Sequence, residues 1–171
     1  ATVDKVLVDS DATLNLKDGA SVSNIGSWSS EDEIEESAVS GHISAGKDVV
    51  IDGLLMGERG SFDFSTDMTI KNGKYEKDYG ETQEKTFSIE NNKAEGFIIN
   101  GGSSFTVTEN GSLSNSVVKG PDDGYGSGGK LISVDKNTSI DNVTIEEGGR
   151  FEISTDTTVS NSTNNGQNIS I

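Results

Sequence analysis

Cysteine is absent, which excludes disulfide and thiol chemistry alike. Proline occurs once, at Pro121, so strand ladders can run almost without a residue that fails to donate to them. Basic residues are scarce: 13 Lys and Arg stand against 29 Asp and Glu, a net charge of -16. Nucleic acid and anionic membrane surfaces are therefore poor partners, and cationic ones are favoured. No apolar run approaches the length of a membrane span, and no stretch has helical periodicity. Only 30% of residues are apolar, too few for a thick globular core. The fold must manage with a thin one.

What the chain has instead is 21 glycines and a pattern that recurs in four strong copies. Anchored on Leu14, Phe62, Phe105 and Phe151, each copy carries apolar residues eight and six positions upstream: Val6, Leu54, Phe97, Val143 and Val8, Met56, Ile99, Ile145. Two positions downstream lie Leu16, Phe64, Val107 and Ile153, and eight downstream lie Val22, Ile70, Leu113 and Val159. Ten downstream the residue is the same each time: Asn24, Asn72, Asn115 and Asn161.

The anchors are 48, 43 and 46 residues apart, which hides a shorter period. Weaker copies lie between them: Ile43, Ala45, Ile51, Gly53, and Ile132, Val134, Ile140, Asn142, each 19 residues before a strong anchor. Another runs through Phe87, Ile89 or Ser88, Ala94 and Gly96 with one residue missing, and Ile169 with Ile171 begins an eighth. The unit is about 19 residues, and every second unit carries an insertion.

Apolar pairs at i, i+2 read as short strands with one face inward, separated by Gly, Asn, Asp and Ser turns. No such unit buries its own apolar face, so units must stack. The expected fold is all-β: one domain over 1–171, a single-stranded parallel β-helix of about seven turns and roughly 30–40 Å. Inside it, Phe62, Phe105 and Phe151 should alternate with Ile43, Phe87 and Ile132; Leu16, Phe64, Val107, Val134 and Ile153 should form a second column. The asparagines should turn left-handed corners and hydrogen-bond up the stack. Thr13, Ser61, Ser104 and Arg150 should line an outer face.

The clearest units, IINGGSSFTVTENGSLSNSVV and VTIEEGGRFEISTDTTVSNST, combine a Gly-Gly turn, a strand pair and a Thr/Ser-x-Asn step. This order resembles the passenger repeats of self-associating autotransporters, the family of antigen 43 and the adhesin involved in diffuse adherence. The likeness runs from Val3 to Ile171 and departs where Gly-Gly decays, as in DSDATL and GERGSF, and in the insertions. The resemblance implies a right-handed β-solenoid at the cell surface of a Gram-negative bacterium, exported through the outer membrane by a C-terminal β-barrel outside this sequence. The pattern is already running at the first residues and still running at NISI, so the chain reads as a piece of a longer passenger.

Insertions at 26–41, 76–85 and 119–129 occupy equivalent places and should form one lateral ridge, where recognition is usually placed. The first holds Trp28 and five acids, Glu31, Asp32, Glu33, Glu35 and Glu36; the others hold Tyr79, and Asp122, Asp123 and Tyr125. Aromatics beside acids suit stacking on a sugar or anchoring a protein, and these ten are the candidate partner-binding residues. No cofactor is expected; calcium at 31–36 or at Asp122 and Asp123 would bind only weakly, since no EF-hand or nonapeptide signature occurs. An enzyme is not expected. The single His42 should point outward, and Arg59 and Arg150 lie in different units, so no acid–base cluster forms. Asn-x-Ser/Thr sequons at Asn110, Asn137, Asn142, Asn161 and Asn168 fit chance in an Asn-, Ser- and Thr-rich chain.

The expectation is an adhesin passenger segment acting in cell aggregation, biofilm formation or host attachment. Its partner would be itself, or a host or bacterial surface protein or glycan, without nucleic acid and without membrane insertion of this segment. The rivals are a spacer stalk and a glycan-binding or polysaccharide-degrading β-helix.

Overall fold

The computed structural model of the chain describes residues 2–26, 38–57, 59–76, 85–121 and 126–170. The turn-rich sequence yields short strands and, among the described residues, no helix. In the first half these are β1 (Thr2–Val6), β2 (Thr13–Leu16), β3 (Ser21–Ile25), β4 (His42–Ala45), β5 (Val50–Gly57), β6 (Ser61–Phe64), β7 (Thr69–Glu76), β8 (Lys85–Ile89) and β9 (Lys93–Glu95). The second half adds β10 (Ile98–Ile99), β11 (Ser103–Val107), β12 (Ser112–Val118), β13 (Lys130–Ser133), β14 (Thr138–Ile145), β15 (Arg150–Ile153), β16 (Thr157–Ser160), β17 (Thr163–Asn164) and β18 (Gln167–Ser170).

Parallel neighbours cannot be joined by a hairpin, so the chain must travel before it pairs. Every pairing between these strands is parallel, and each joins residues 17 to 29 positions apart. Ten strands form one sheet along β1-β3-β5-β7-β10-β12-β14-β16, with β9 and β17 beside that path. A three-stranded sheet runs β2-β4-β6, and a five-stranded sheet runs β18-β15-β13-β11-β8. The chain visits these sheets in turn, an arrangement compatible with a β-solenoid.

The repeat in the sequence is the pairing register. Val22, Ile51, Ile70, Ala94, Leu113, Ile140 and Val159 pair in series, one per unit, and all but Val159 are buried. The anchors pair as Leu14–Ile43–Phe62 and as Phe87–Phe105–Leu131–Phe151. Leu131, not the expected Ile132, holds the third place of the second series, and Ser133 rather than Val134 follows it. LISV offers an apolar residue at the anchor place in either phase, Leu131 or Ile132, so the choice fell to the turn, which takes one residue more than its equivalents. A bond between Ser133 Oγ and Thr157 Oγ1 (2.9 Å) satisfies the inward hydroxyl.

Two further expectations fail. The last unit pairs Phe151 with Asn168 and Glu152 with Ile169, so Ile169 is one residue off the anchor. Its preceding turn is closed by Gly166 N–H donating to Asn164 Oδ1 (3.0 Å), and that turn delivers Asn168 to the anchor position. Ser104 keeps the expected row, in register with Thr86 and Lys130, but is buried rather than exposed. His42 is half-buried in the row between Thr13 and Ser61, with Nδ1 2.7 Å from Ser61 Oγ.

The corners show why asparagine recurs. Lys5, Asn24, Gly53, Asn72, Gly96, Asn115, Asn142 and Asn161, one per unit, all have φ between 50° and 94°. Gly and Asn enter this left-handed region at least cost. Asn24 and Asn72 stack over glycine: a Cβ at Gly53 would lie 2.8 Å from Asn24 Oδ1, and one at Gly96 2.5 Å from Asn72 Oδ1. Their Nδ2 groups donate to Asp4 and Asp52 at 2.8 Å, and Asn142 Nδ2 donates to Asn115 Oδ1 at 2.8 Å. A second column, not anticipated from the sequence, runs Asn91–Asn110–Asn137, with amide bonds of 2.8 and 3.2 Å. Four of the five sequons thus begin at ladder asparagines.

Candidate functional site

The ten residues singled out in the insertions, from Trp28 to Tyr125, lie outside the described residues. Their roots are described. Each insertion follows a strand of the ten-stranded sheet (β3, β7 or β12) and precedes a strand of the other two (β4, β8 or β13). Gly26 N–H donates to Val6 O (2.8 Å) and Val39 N–H to Leu55 O (2.9 Å), fixing the first root. Gly129 N–H to Lys119 O (2.8 Å) closes the third, beside a Lys119–Glu146 ion pair of 3.4 Å.

The feature that departs from the repeat lies between β6 and β8. At other steps of this sheet wall the residue after the inner pair donates its N–H to the previous unit: Ser65 to Ala45 O, Thr108 to Ile89 O, Val134 to Val107 O and Ser154 to Ser133 O, at 2.9–3.0 Å. Among the described residues the corresponding bond, Glu90 N–H to Phe64 O, is missing, and β6 and β8 are unpaired edges of different sheets. The cause is the residue missing from the β8–β9 corner. Asn92 compensates: nearly fully buried, it accepts from Met68 N–H (2.9 Å) and donates Nδ2 to Ser65 O (2.9 Å). A side-chain amide stands there where backbone amides pair elsewhere.

Splayed strands leave interior volume to fill, and rings fill it. Phe87 is the centre of a six-ring cluster with Phe62 (4.4 Å between centroids), Phe97 and Phe105 (both 5.4 Å), Phe64 and Tyr75 (both 6.0 Å). Phe97 needs the room left by Gly73, where a Cβ would stand 2.5 Å from its ring. Burial pushes the Tyr75 phenol above its ordinary value. Phe62 and Phe64, stacked at 4.7 Å, remain only half-buried.

Their exposed parts floor an open groove of about 460 Å³, rimmed by Asp63, Ser65, Ser88, Glu90 and Asn91. Two carboxylates and no lysine or arginine stand among its described lining residues. This is an acidic, aromatic-floored slot suited to binding. Among the described residues no three His, Cys, Asp or Glu gather to hold a metal. The sequence signals for it were the doubled aromatic of FDF and the missing residue between Phe87 and Ala94. No protein-family model matches the chain, and no curated protein matches it by sequence.

Proposed function

We propose that the chain is a segment of a surface-displayed adhesin. Its fold would be a right-handed, single-stranded parallel β-helix, and its passenger type the one its repeats resemble, on a Gram-negative cell. The handedness and the export route rest on that resemblance alone. The rod holds a second copy, or a host or bacterial surface molecule, through many weak polar contacts along its faces and its ridge of insertions.

One observation carries the reading. In-register parallel pairing turns equivalent positions into rows: Ser21, Val50, Thr69, Lys93, Ser112, Ser139 and Thr158 run in series along the ten-stranded sheet, half-buried or exposed. A repeated, mostly small and polar row offers the same weak contact many times. Side-by-side rods on a cell gain avidity from it without a tight single site.

Sedimentation velocity over a concentration series, at low and physiological salt, tests this. Reversible dimers or larger species are expected. They should strengthen with salt, acid or divalent ions, because two surfaces of net charge -16 repel at long range. A strict monomer under every condition would shift the reading to a spacer or to a heterotypic receptor.

A further inference from the structure

The open slot between β6 and β8 has the geometry of a ladder with a strand left out. In a parallel ladder, alternate residues direct both N–H and C=O to the same neighbour. Ser61 and Ser65 donate back to Gly41 and Ala45, so Phe62 and Phe64 direct their backbone groups into the slot. Ile89 O accepts from Thr108, so Thr86, Ser88 and Glu90 face the slot from the other side. Two rows of strand-edge donors and acceptors thus confront each other over a volume of about 460 Å³. At its end the Asn92 carboxamide already occupies a place where a peptide group would fit, bonded to Ser65 O and Met68 N–H.

We propose that this slot is a binding site for an extended, cationic peptide segment, which completes the wall by strand addition. The lining sets the sequence class of the occupant. Phe62 and Phe87 touch beneath the slot at 4.4 Å, so inward positions accept only small residues such as Gly, Ala or Ser. Outward positions fall beside exposed Asp63 and Glu90 with no basic residue in the described lining, so they favour Lys or Arg. A segment of the form Thr-Ala-Lys-Ala-Lys-Ala meets both conditions. The site is independent of self-association and holds for a strictly monomeric chain.

The test titrates the full chain with acetyl-Thr-Ala-Lys-Ala-Lys-Ala-amide, following backbone amide shifts and hydrogen exchange by NMR. Shifts should concentrate at Phe62, Phe64, Ser88 and Glu90, and exchange at these amides should slow while the β12–β14 ladder is unchanged. Proline in place of the first lysine, or glutamate in place of both lysines, should abolish the effect. Asp63→Lys changes an exposed side chain, so it should leave the fold intact and weaken binding by about fivefold or more. Two outcomes overturn the proposal. One is no change at the four edge amides at millimolar peptide. The other is a response there to a neutral oligosaccharide such as cellotetraose but not to the peptide, which would make the slot a glycan site.

Discussion

An asparagine held at positive φ lays its carboxamide over the next unit, and the residue beneath has to make room for it. Gly53 does so under Asn24, with φ 94° and a would-be Cβ contact of 2.8 Å, whereas Gly19, also left-handed at φ 75°, has open space around it. Gly53→Ala should therefore cost about 2–3 kcal/mol in denaturant unfolding, strain plus clash, against about 1 kcal/mol for Gly19→Ala, which meets strain alone. Equal costs would mean that the asparagine stack yields freely. Asp141 shows a second effect of the same corner. Asn161 Nδ2 and Ser160 Oγ, each at 2.9 Å, hold its carboxyl below the ordinary carboxylate value. A lowered pKa stabilises the fold above the unfolded value, and that contribution is lost as pH falls through the folded one. The window lies below about pH 4. An NMR titration should place the Asp141 midpoint below that of Asp in a model peptide, and in Asn161→Ala the midpoint should move back up.

At the scale of elements, register decides which residues work. A strand shifted by one residue turns its whole inner face outward, and β13 is the strand where two phases were open. Leu131 is fully buried and Ile132 only half, so Leu131→Ala should cost about 3 kcal/mol and Ile132→Ala about 1 kcal/mol or less. The reverse order in denaturation midpoints would restore the phase that the apolar pattern alone suggested. Between β6 and β8 the deciding element is a corner one residue short. Its consequences are local: a buried Asn92, a cluster of rings and an open slot, while β7 and β9 still pair across the same units.

Taken whole, the molecule is a set of parallel ladders with a large excess of negative charge. Like charges stacked one unit apart repel, and screening relieves them. Thermal midpoints should rise by several degrees between about 0.01 and 0.15 M salt, where the Debye length falls from about 30 to 8 Å. A flat response would mean that ion pairs such as Lys130–Glu152 at 2.8 Å, with side chains only about one-fifth exposed, already compensate the excess. The same screening should favour the self-association proposed above, so melting and sedimentation should respond to salt in the same direction.

The sequence alone determined the unit length, the parallel ladder and most of the inner columns, from Val22 through Leu113 to Ile140. A residue type recurring at fixed spacing can only be satisfied by stacking. The left-handed asparagine corner was equally legible, because few other residues enter that region cheaply. The phase of β13, the burial of Ser104 and the offset of Ile169 were not. They depend on how many residues a turn consumes and on which hydroxyl finds a partner across units. The slot between β6 and β8 belongs wholly to the tertiary structure. A missing residue is visible in the sequence, but whether it is absorbed by strain, by a shifted register or by an open edge depends on Asn92 and Phe87 meeting groups from the neighbouring unit.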